Sequence, residues 1–464
     1  MRWTDIKDSI KDFWNEFRKV KSGIVGIIFL GIFLFILFFE RFIVPFPQVN
    51  NKWRDITFWQ DLPSSAAPEW TNLFTSKKRA VSESIGEYAL TEKAAGTVKI
   101  LEYVFEYDYK AGVAPSDLIF HAEGTGKPTV ILTIERPDGL TLDLFRKQME
   151  MNSSQEIRVA IDKSSQSAAY NFGRKYDSVE GIPLQTVKTT DVIFSKAQIG
   201  MFRAPSALNG VYKVKATLML QKADERVDKV YLNVVGRVFG ILGTDNSKRD
   251  IWSGVLAGVK WALLIGLLTA VISVSIGVIY GVMSAYLGGW KDSLMQRIFE
   301  IFISVPLLPV LIVMSAVFKP SIWVIILIMS IFYWVGPVKT VRSMGLQIKE
   351  ETYIEASRAL GASNARIIFK HMVPLLIPYA FASMALYVPG AIVVEATISL
   401  LGLGDATIVT WGQILQSALS GGAVLSGMWW WVVPPGLAIA LMGMTFAFVG
   451  FAMDKILNPK LKTR

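Results

Sequence analysis

Two regimes of hydrophobic patterning divide this chain. Gly23 to Phe39, continuing to Val44, is apolar throughout and long enough to cross a bilayer, which takes about 20 helical residues. From Pro47 to about Phe239 no run of that length occurs. Short segments there alternate apolar and polar positions, as in VYKVKATLML, punctuated by turns such as Pro137-Asp138-Gly139. Thr97–Tyr109, Ser116–His121, Thr129–Glu135, Leu140–Phe145, Glu156–Ile161, Asp191–Phe194, Gly210–Leu220 and Asp228–Val238 are the predicted strands, after an irregular Trp53–Lys93. So many short, punctuated strands predict a β-sandwich. Spanning runs then resume at Val255–Tyr286, Ile298–Phe318, Ser321–Val338, Pro374–Leu400 and Met428–Ala452. The predicted fold is a mainly α-helical polytopic membrane protein with six transmembrane helices and an inserted, mainly β domain. Its parts are residues 1–46, 47–239 and 240–464.

Details within the spans carry expectations of their own. Gly277 and Gly281 form a GxxxG that lets another helix approach closely. Pro306 and Pro309 interrupt the third span; such breaks line cavities in transporters, although simple kinks are commoner. Glu395 is an acid well inside an apolar segment, hence a candidate for the translocation pathway. Its place near the outer end favours a structural hydrogen bond to backbone or a loop over ion coupling. YLGGWKDSLMQRIFE reads as an inside loop, Gly402–Gly427 as an outer re-entrant or interfacial segment, and Trp429-Trp430-Trp431 as an interfacial aromatic belt.

Composition and charge change the picture in three places. A net charge of +10 suggests nucleic acid in a soluble protein, but here many Lys and Arg flank the spans, which points to topology and to no nucleic-acid partner. Lys7, Lys11, Arg18, Lys19 and Lys21 precede the first run, which is too long for a signal peptide and lacks a small-residue cleavage site after it. By the positive-inside rule both termini are cytoplasmic, residues 47–239 are extracellular, and the chain is a multi-pass protein of the plasma membrane. The absence of cysteine excludes disulfides and thiol chemistry, and two isolated histidines, His121 and His371, leave no expected metal site. Within the insert, GTGKPT at Gly124–Thr129 imitates a phosphate loop. His121 stands where the first glycine is needed and Pro128 follows Lys127, so a hairpin turn is expected. Asn152-Ser153-Ser154 fits a glycan acceptor, a pattern common by chance.

The most regular polar stretch is Glu355–Pro374, EASRALGASNARIIFKHMVP. Ala356, Ala359 and Leu360 fall at helical spacing beside Glu355 and Arg358; Gly361 can end that helix and Ser363 can cap the next. Ile368, Phe369 and Met372 then form a second apolar stripe. This predicts a helix–glycine–helix hairpin with an apolar face and nothing of its own to bury it, a docking element for a soluble partner. Lys339 and Arg342 place it on the cytoplasmic side.

EAS with a glycine four residues beyond the serine, followed by HMVP, resembles the EAA loop of ABC-importer permeases. FRKVKSGIVG, the GTD…RD..S segment of Leu242–Gly254, EATISLLGLG, WGQIL and the C-terminal PPGLAIALMGMTFAFVGFAMDKILNPKLK resemble the oligopeptide/dipeptide/nickel type of that family, with Lys248 replacing a usual glycine. The resemblance covers the N-terminal helix and nearly everything from Leu242 onward, and leaves the insert unaccounted for. It implies the type I ABC importer permease fold and a coupling loop at residues 350–374. Glu355, Ala356, Ser357, Arg358, Gly361, Ala362, Arg366, His371 and Pro374 would then face an ATPase. Gly243, Thr244, Asp245, Arg249 and Asp250 form the outer-interface motif, where Asp250 and Arg249 can cap and anchor a helix start.

It further implies a homologous second permease, two ATP-binding subunits, an extracellular solute-binding protein and surrounding membrane lipid as partners. ATP and Mg would sit on the ATPases, with no cofactor on this chain. The expected cargo is a di/oligosaccharide or di/oligopeptide, the aromatic, Asn-bearing insert suiting sugars slightly better. Two other classes stay open: an ATP-independent secondary transporter or channel, for which Glu395 alone is thin support, and a membrane-anchored adhesion or sensor protein, which leaves the patterned inner loop unexplained.

Overall fold

The computed structural model describes residues 14–96, 98–151, 155–178, 180–222 and 224–457. Most of the basic N-terminal stretch and the Asn152 sequon lie outside them. Two compact units emerge, residues 54–252 and the remainder.

The helical unit opens with α1 (Lys21–Ile43). Gly23 and Gly26 let it lie against the last helix: a Cβ on either would come within 2.6 to 3.0 Å of Ala452, Phe448 or Thr445.

The 54–252 unit holds two antiparallel sheets. Its strands are β1 (Glu83–Ile85), β2 (Ala89–Ala95), β3 (Val98–Tyr109), β4 (Asp117–Thr125), β5 (Thr129–Glu135), β6 (Thr141–Gln148), β7 (Gln155–Arg158), β8 (Gly210–Leu220) and β9 (Arg226–Val235). One sheet runs β1-β9-β4-β7 and the other β2-β3-β8-β5-β6. Alternation explains the sandwich: Leu118 and Phe120 of β4 and Leu232 of β9 share a core with Phe105, Leu132, Val214 and Leu218 of the second sheet.

Two expectations for this unit need correction, and one element was not anticipated. Asp191–Phe194 is not a strand; Thr189–Ile193 forms a short helix. Its carbonyl end is held by the buried guanidinium of Arg136, which donates to Val192 O, Ile193 O and Ser195 O at 3.2, 3.0 and 2.7 Å. GTGKPT is not a hairpin turn, because β4 and β5 belong to different sheets; it is a corner between them. Gly124 sits at a register shift where a Cβ would lie 2.0 Å from Arg226 O, and Gly126 adopts φ +102°. The amphipathic helix α2 (Lys163–Gly173), capped by Asp162 through Ser165 N–H, is an element that strand periodicity could not reveal.

The helical unit continues with α3 (Ile251–Leu287), α4 (Gly289–Ser304), α5 (Leu307–Val317), α6 (Ile322–Tyr333), α7 (Val335–Lys349), α8 (Thr352–Ala359), α9 (Val373–Leu400), α10 (Trp411–Ser420) and α11 (Trp429–Leu457). Among the described residues five helices are long and apolar enough to cross a membrane, or six if the bent pair α4–α5 counts as one. That pair replaces the expected inside loop, and the expected interruption of the third span is a sharp bend between two helices. Gly288 and Gly289, at φ +60° and +55°, turn the chain, and the α4 residue Asp292 accepts from Arg342 of α7 and from the Ser284 hydroxyl of α3. The helix breaks at Val305, where Pro306 begins a new helix bent by 74°. Pro309 simply occupies the first turn of α5, where a proline is tolerated.

Gly277 and Gly281 do admit a close neighbour. A Cβ at Gly277 would stand 2.4 Å from Trp334 O, and at Gly281 2.8 Å from Val341. Gly277→Leu is therefore expected to push α3 off the Trp334–Val341 stretch and lower the thermal transition of the detergent-solubilised chain, while Gly31→Leu, whose Cβ meets nothing within 4 Å, leaves it in place.

The Trp429–Trp431 belt is another correction. Only Trp429 is exposed; Trp430 and Trp431 are buried, turned inward by the start of α11.

Candidate functional site

The stretch between α7 and α9 forms as its residue pattern dictates at one end and departs from it at the other. α8 closes with a paired motif in which Ala362 N–H reaches Ser357 O and Gly361 N–H reaches Arg358 O, at 3.1 and 3.0 Å. Gly361 takes φ +79°, the left-handed conformation this closure needs. Ser363 then caps the next helical segment, its hydroxyl accepting from Arg366 N–H at 3.4 Å.

That segment does not stop at Pro374. Asn364–Arg366 passes into a π-turn, Ile367–Met372, and straight on into α9. Pro374 has no N–H to give the preceding turn, and the wide turn closes through Val373 N–H to Ile368 O. The expected pair of short helices is thus one short helix and the first turns of a spanning one.

Burial corrects the second expectation for this loop. Ile354, Ile367, Ile368 and Met372 are buried against Val278, Val282, Val341 and Leu376, so part of the apolar face is covered by the chain itself. The Tyr286 hydroxyl on α3 also holds Asn364, at 3.2 Å. What stays uncovered is a narrower edge: Ala356 and Ala359, Leu360 at 89% exposure and Phe369 at 53%. Glu355, Arg358, Arg366, Gly361 and Pro374 are exposed around it, while Ser357, Ala362 and His371 are half-buried. Ser357 is occupied locally, donating to Tyr353 O at 2.8 Å.

The family described as the inner membrane component of binding-protein-dependent transport systems matches residues 273–463, after the β-stranded unit. The dipeptide transport system permease protein DppC of Bacillus subtilis is 34% identical over 271 residues, 58% of this chain and 79% of that protein. The oligopeptide transport system permease protein OppC of the same organism is 36% identical over 222 residues, 47% of this chain and 72% of that protein. This chain belongs to the permease subunits of ABC importers. A chain of the MetNI methionine ABC transporter, in inward-facing form, aligns over 46% of the permease and 98% of itself at 20% identity and TM-score 0.34.

Elsewhere in the permease, Glu395 is buried in α9, where it accepts from the Ser399 hydroxyl at 2.7 Å and bonds to the Thr410 side chain. Its partners are side chains, and Thr410 lies in the loop before α10, in line with the expected structural bond to backbone or a loop. The glycines around it are close-packing residues: a Cβ on Gly404 would sit 2.0 Å from Ser399 Oγ, and one on Gly412 2.8 Å from Ala396 Cα. The EATISLLGLG and WGQIL segments therefore form one knot tying the end of α9 to the start of α10.

The Gly243–Asp250 motif is a second tight construction. Asp245 is fully buried and accepts from Ser247 N–H, Arg249 N–H and Arg249 Nε at 2.8, 2.8 and 2.5 Å. Thr244 donates to Pro63 O and accepts from Ala66 N–H. Burial pushes the Asp245 carboxyl up even with Arg249 beside it. The anchor is the Asp245–Arg249 pair, while Asp250 occupies the position just before α3. Sequence reasoning missed Asp245 as the centre of this knot; its spacing four residues before Arg249 was the available signal.

Proposed function

We propose that the permease takes up di- and oligopeptides, driven by partner ATPases that dock on the Thr352–Pro374 loop. The observation that carries the docking is the uncovered edge of Ala356, Ala359, Leu360 and Phe369 beside a turn held rigid by Gly361. A groove on each ATP-binding subunit would bury that edge, and Glu355, Arg358 and Arg366 would pair with charges at its rim. Closure of the ATPase dimer around ATP and Mg would then move α8 and the base of α9 together, rocking the spans between outward- and inward-open states. Lys339, Arg342 and Lys349 just before the loop support its cytoplasmic placement, with the β-stranded unit on the external side facing a solute-binding protein. The chain carries no GxxxxGK[ST] segment, in keeping with ATP hydrolysis on the partners. The names of the two Bacillus relatives support peptides over the sugars that the insert's composition favoured.

Purification of the assembled complex tests both halves. ATP-binding subunits and a second permease should co-purify, and peptide-loaded binding protein should stimulate ATP hydrolysis. Leu360→Asp should strip the ATPases from a permease that still inserts. Full ATPase retention by that variant would sink the docking surface. Stimulation by saccharides and not peptides would sink the assignment of cargo.

A further inference from the structure

One face of the β1-β9-β4-β7 sheet carries a concentrated set of buried polar groups. Strand alternation sends Leu118, Phe120 and Ala122 of β4 into the sandwich core, and so puts Asp117 and His121 on the opposite face. His121 pairs directly with Glu156 on β7 and with Tyr231 on β9, whose ring stacks on the imidazole at 4.4 Å. Asn233 sits diagonally across from it, its side-chain amide 3.3 Å from His121 Nε2. The segment before residue 63 closes over this face and brings Asp61 Oδ1 to 3.2 Å from the same Nε2.

The cluster is buried but unsatisfied. His121 is 2% exposed, yet its Nδ1 has no hydrogen-bond partner; nor have Glu156 Oε2 and Asn233 Oδ1, both shielded from solvent. Leaving several buried polar atoms unpaired at one spot forfeits their solvation without replacement, which calls for a group that satisfies them together. One donor atom from each of Asp61, His121 and Glu156 lies within 4.8 Å of the others. Tetrahedral coordination with bonds of about 2.0–2.2 Å places ligand atoms about 3.3–3.5 Å apart. The 3.2 Å between Asp61 Oδ1 and His121 Nε2 is near this spacing. Charge runs the same way. Arg158 lies 3.3 Å from Asp117 and 3.7 Å from Glu156, and it and Lys248 both donate to Gln60 O, so the three carboxylates Asp61, Asp117 and Glu156 face two cations around the imidazole.

The geometry points to a structural site for a divalent transition cation of the zinc class, held by Asp61, His121 and Glu156. An imidazole with oxygen donors and no thiolate suits zinc, cobalt or manganese rather than copper(I) or an iron–sulfur cluster. Its role is to staple the Asp61 segment onto the sheet, joining positions far apart in the chain. The two histidines of the sequence gave no hint of this, because the ligands come from three separate segments that only the strand register aligns.

Tag-free, full-length permease, stripped with chelator and dialysed against zinc chloride, should retain one zinc per chain. Cobalt(II) in its place should give the visible absorption of a tetrahedral nitrogen–oxygen site. Asp61→Asn and Glu156→Gln, conservative changes at half-buried positions, should each weaken zinc binding at least tenfold, while His371→Gln leaves it unchanged. A folded chain that retains no zinc, or zinc affinity unaltered in both carboxylate variants, would overturn the site.

Discussion

Gly361→Val should cut ATP-driven uptake sharply, by about 5–30-fold, while binding-protein capture of solute continues, and Gly361→Asn should keep most of the activity. A Cβ at Gly361 meets nothing within 4 Å, so steric clash is not the cause. The φ of +79° is the cause. Left-handed backbone costs an ordinary L-residue about 1–2 kcal/mol, and asparagine is among the few side chains that adopt it readily. That strain falls on the closure joining Ser357 and Arg358 to Ala362 and Gly361, and so on the angle between α8 and the base of α9. A penalty of this size shifts the population of the docking-competent turn by a factor of about 5–30, and a β-branched residue sits at the severe end. Uptake into proteoliposomes, set beside co-purification of the ATPases, reads both quantities. Normal uptake by the valine variant would refute the idea that a fixed turn transmits force.

Arg136→Ala should destabilise the β-stranded unit by about 3–5 kcal/mol, the size expected when one partner of a buried, hydrogen-bonded charge is removed. The guanidinium is fully buried, lies over the Phe172 ring at 4.8 Å, and satisfies three carbonyls at the end of the Thr189–Ile193 helix. It also meets Asp138 at 2.7 Å, fixing the β5–β6 turn. Truncation strands all of these acceptors at once. Denaturant unfolding of the purified chain, followed by a probe in this unit, measures the loss; a shift below 1 kcal/mol would mean that water replaces the arginine at no cost. The same pair sets an acid limit. Burial pushes the Asp138 carboxyl up, but hydrogen bonds from Arg136 and Leu140 N–H pull it further down, below the usual carboxylate range. Its stabilisation is complete above about pH 4, the ordinary aspartate value, and disappears as the pH drops through the lowered value.

Reading the sequence succeeded where one short-range period decides the outcome. The runs at Thr129–Glu135 and Gly210–Leu220 are strands with the same bounds in the structure, because period-2 alternation against a sandwich core admits no other element. The Gly361 turn was legible for a similar reason: glycine after a helical run, then a capping serine, is a local device. What stayed hidden depends on distant partners. The helix at Thr189–Ile193 needs Arg136, more than fifty residues away, to satisfy its end. The burial of Ile367, Ile368 and Met372 needs the α3 valines, which no pattern within the loop can announce. The bend between α4 and α5 was half visible: the prolines marked an interruption, but only the Asp292 contacts with Arg342 and Ser284 made the preceding residues a helix rather than a loop.

The wide turn at Ile367–Met372 also gives this region an unusual tolerance of length. Losing one residue there would convert five-residue hydrogen bonding into the ordinary four-residue kind and leave Leu376 through Leu400 aimed as before. A loss a few positions later, inside α9, would spin every following side chain by about 100° and turn Glu395 and Ser399 together away from Thr410. The chain thus keeps a spare residue in its helical thread where the loop joins the span.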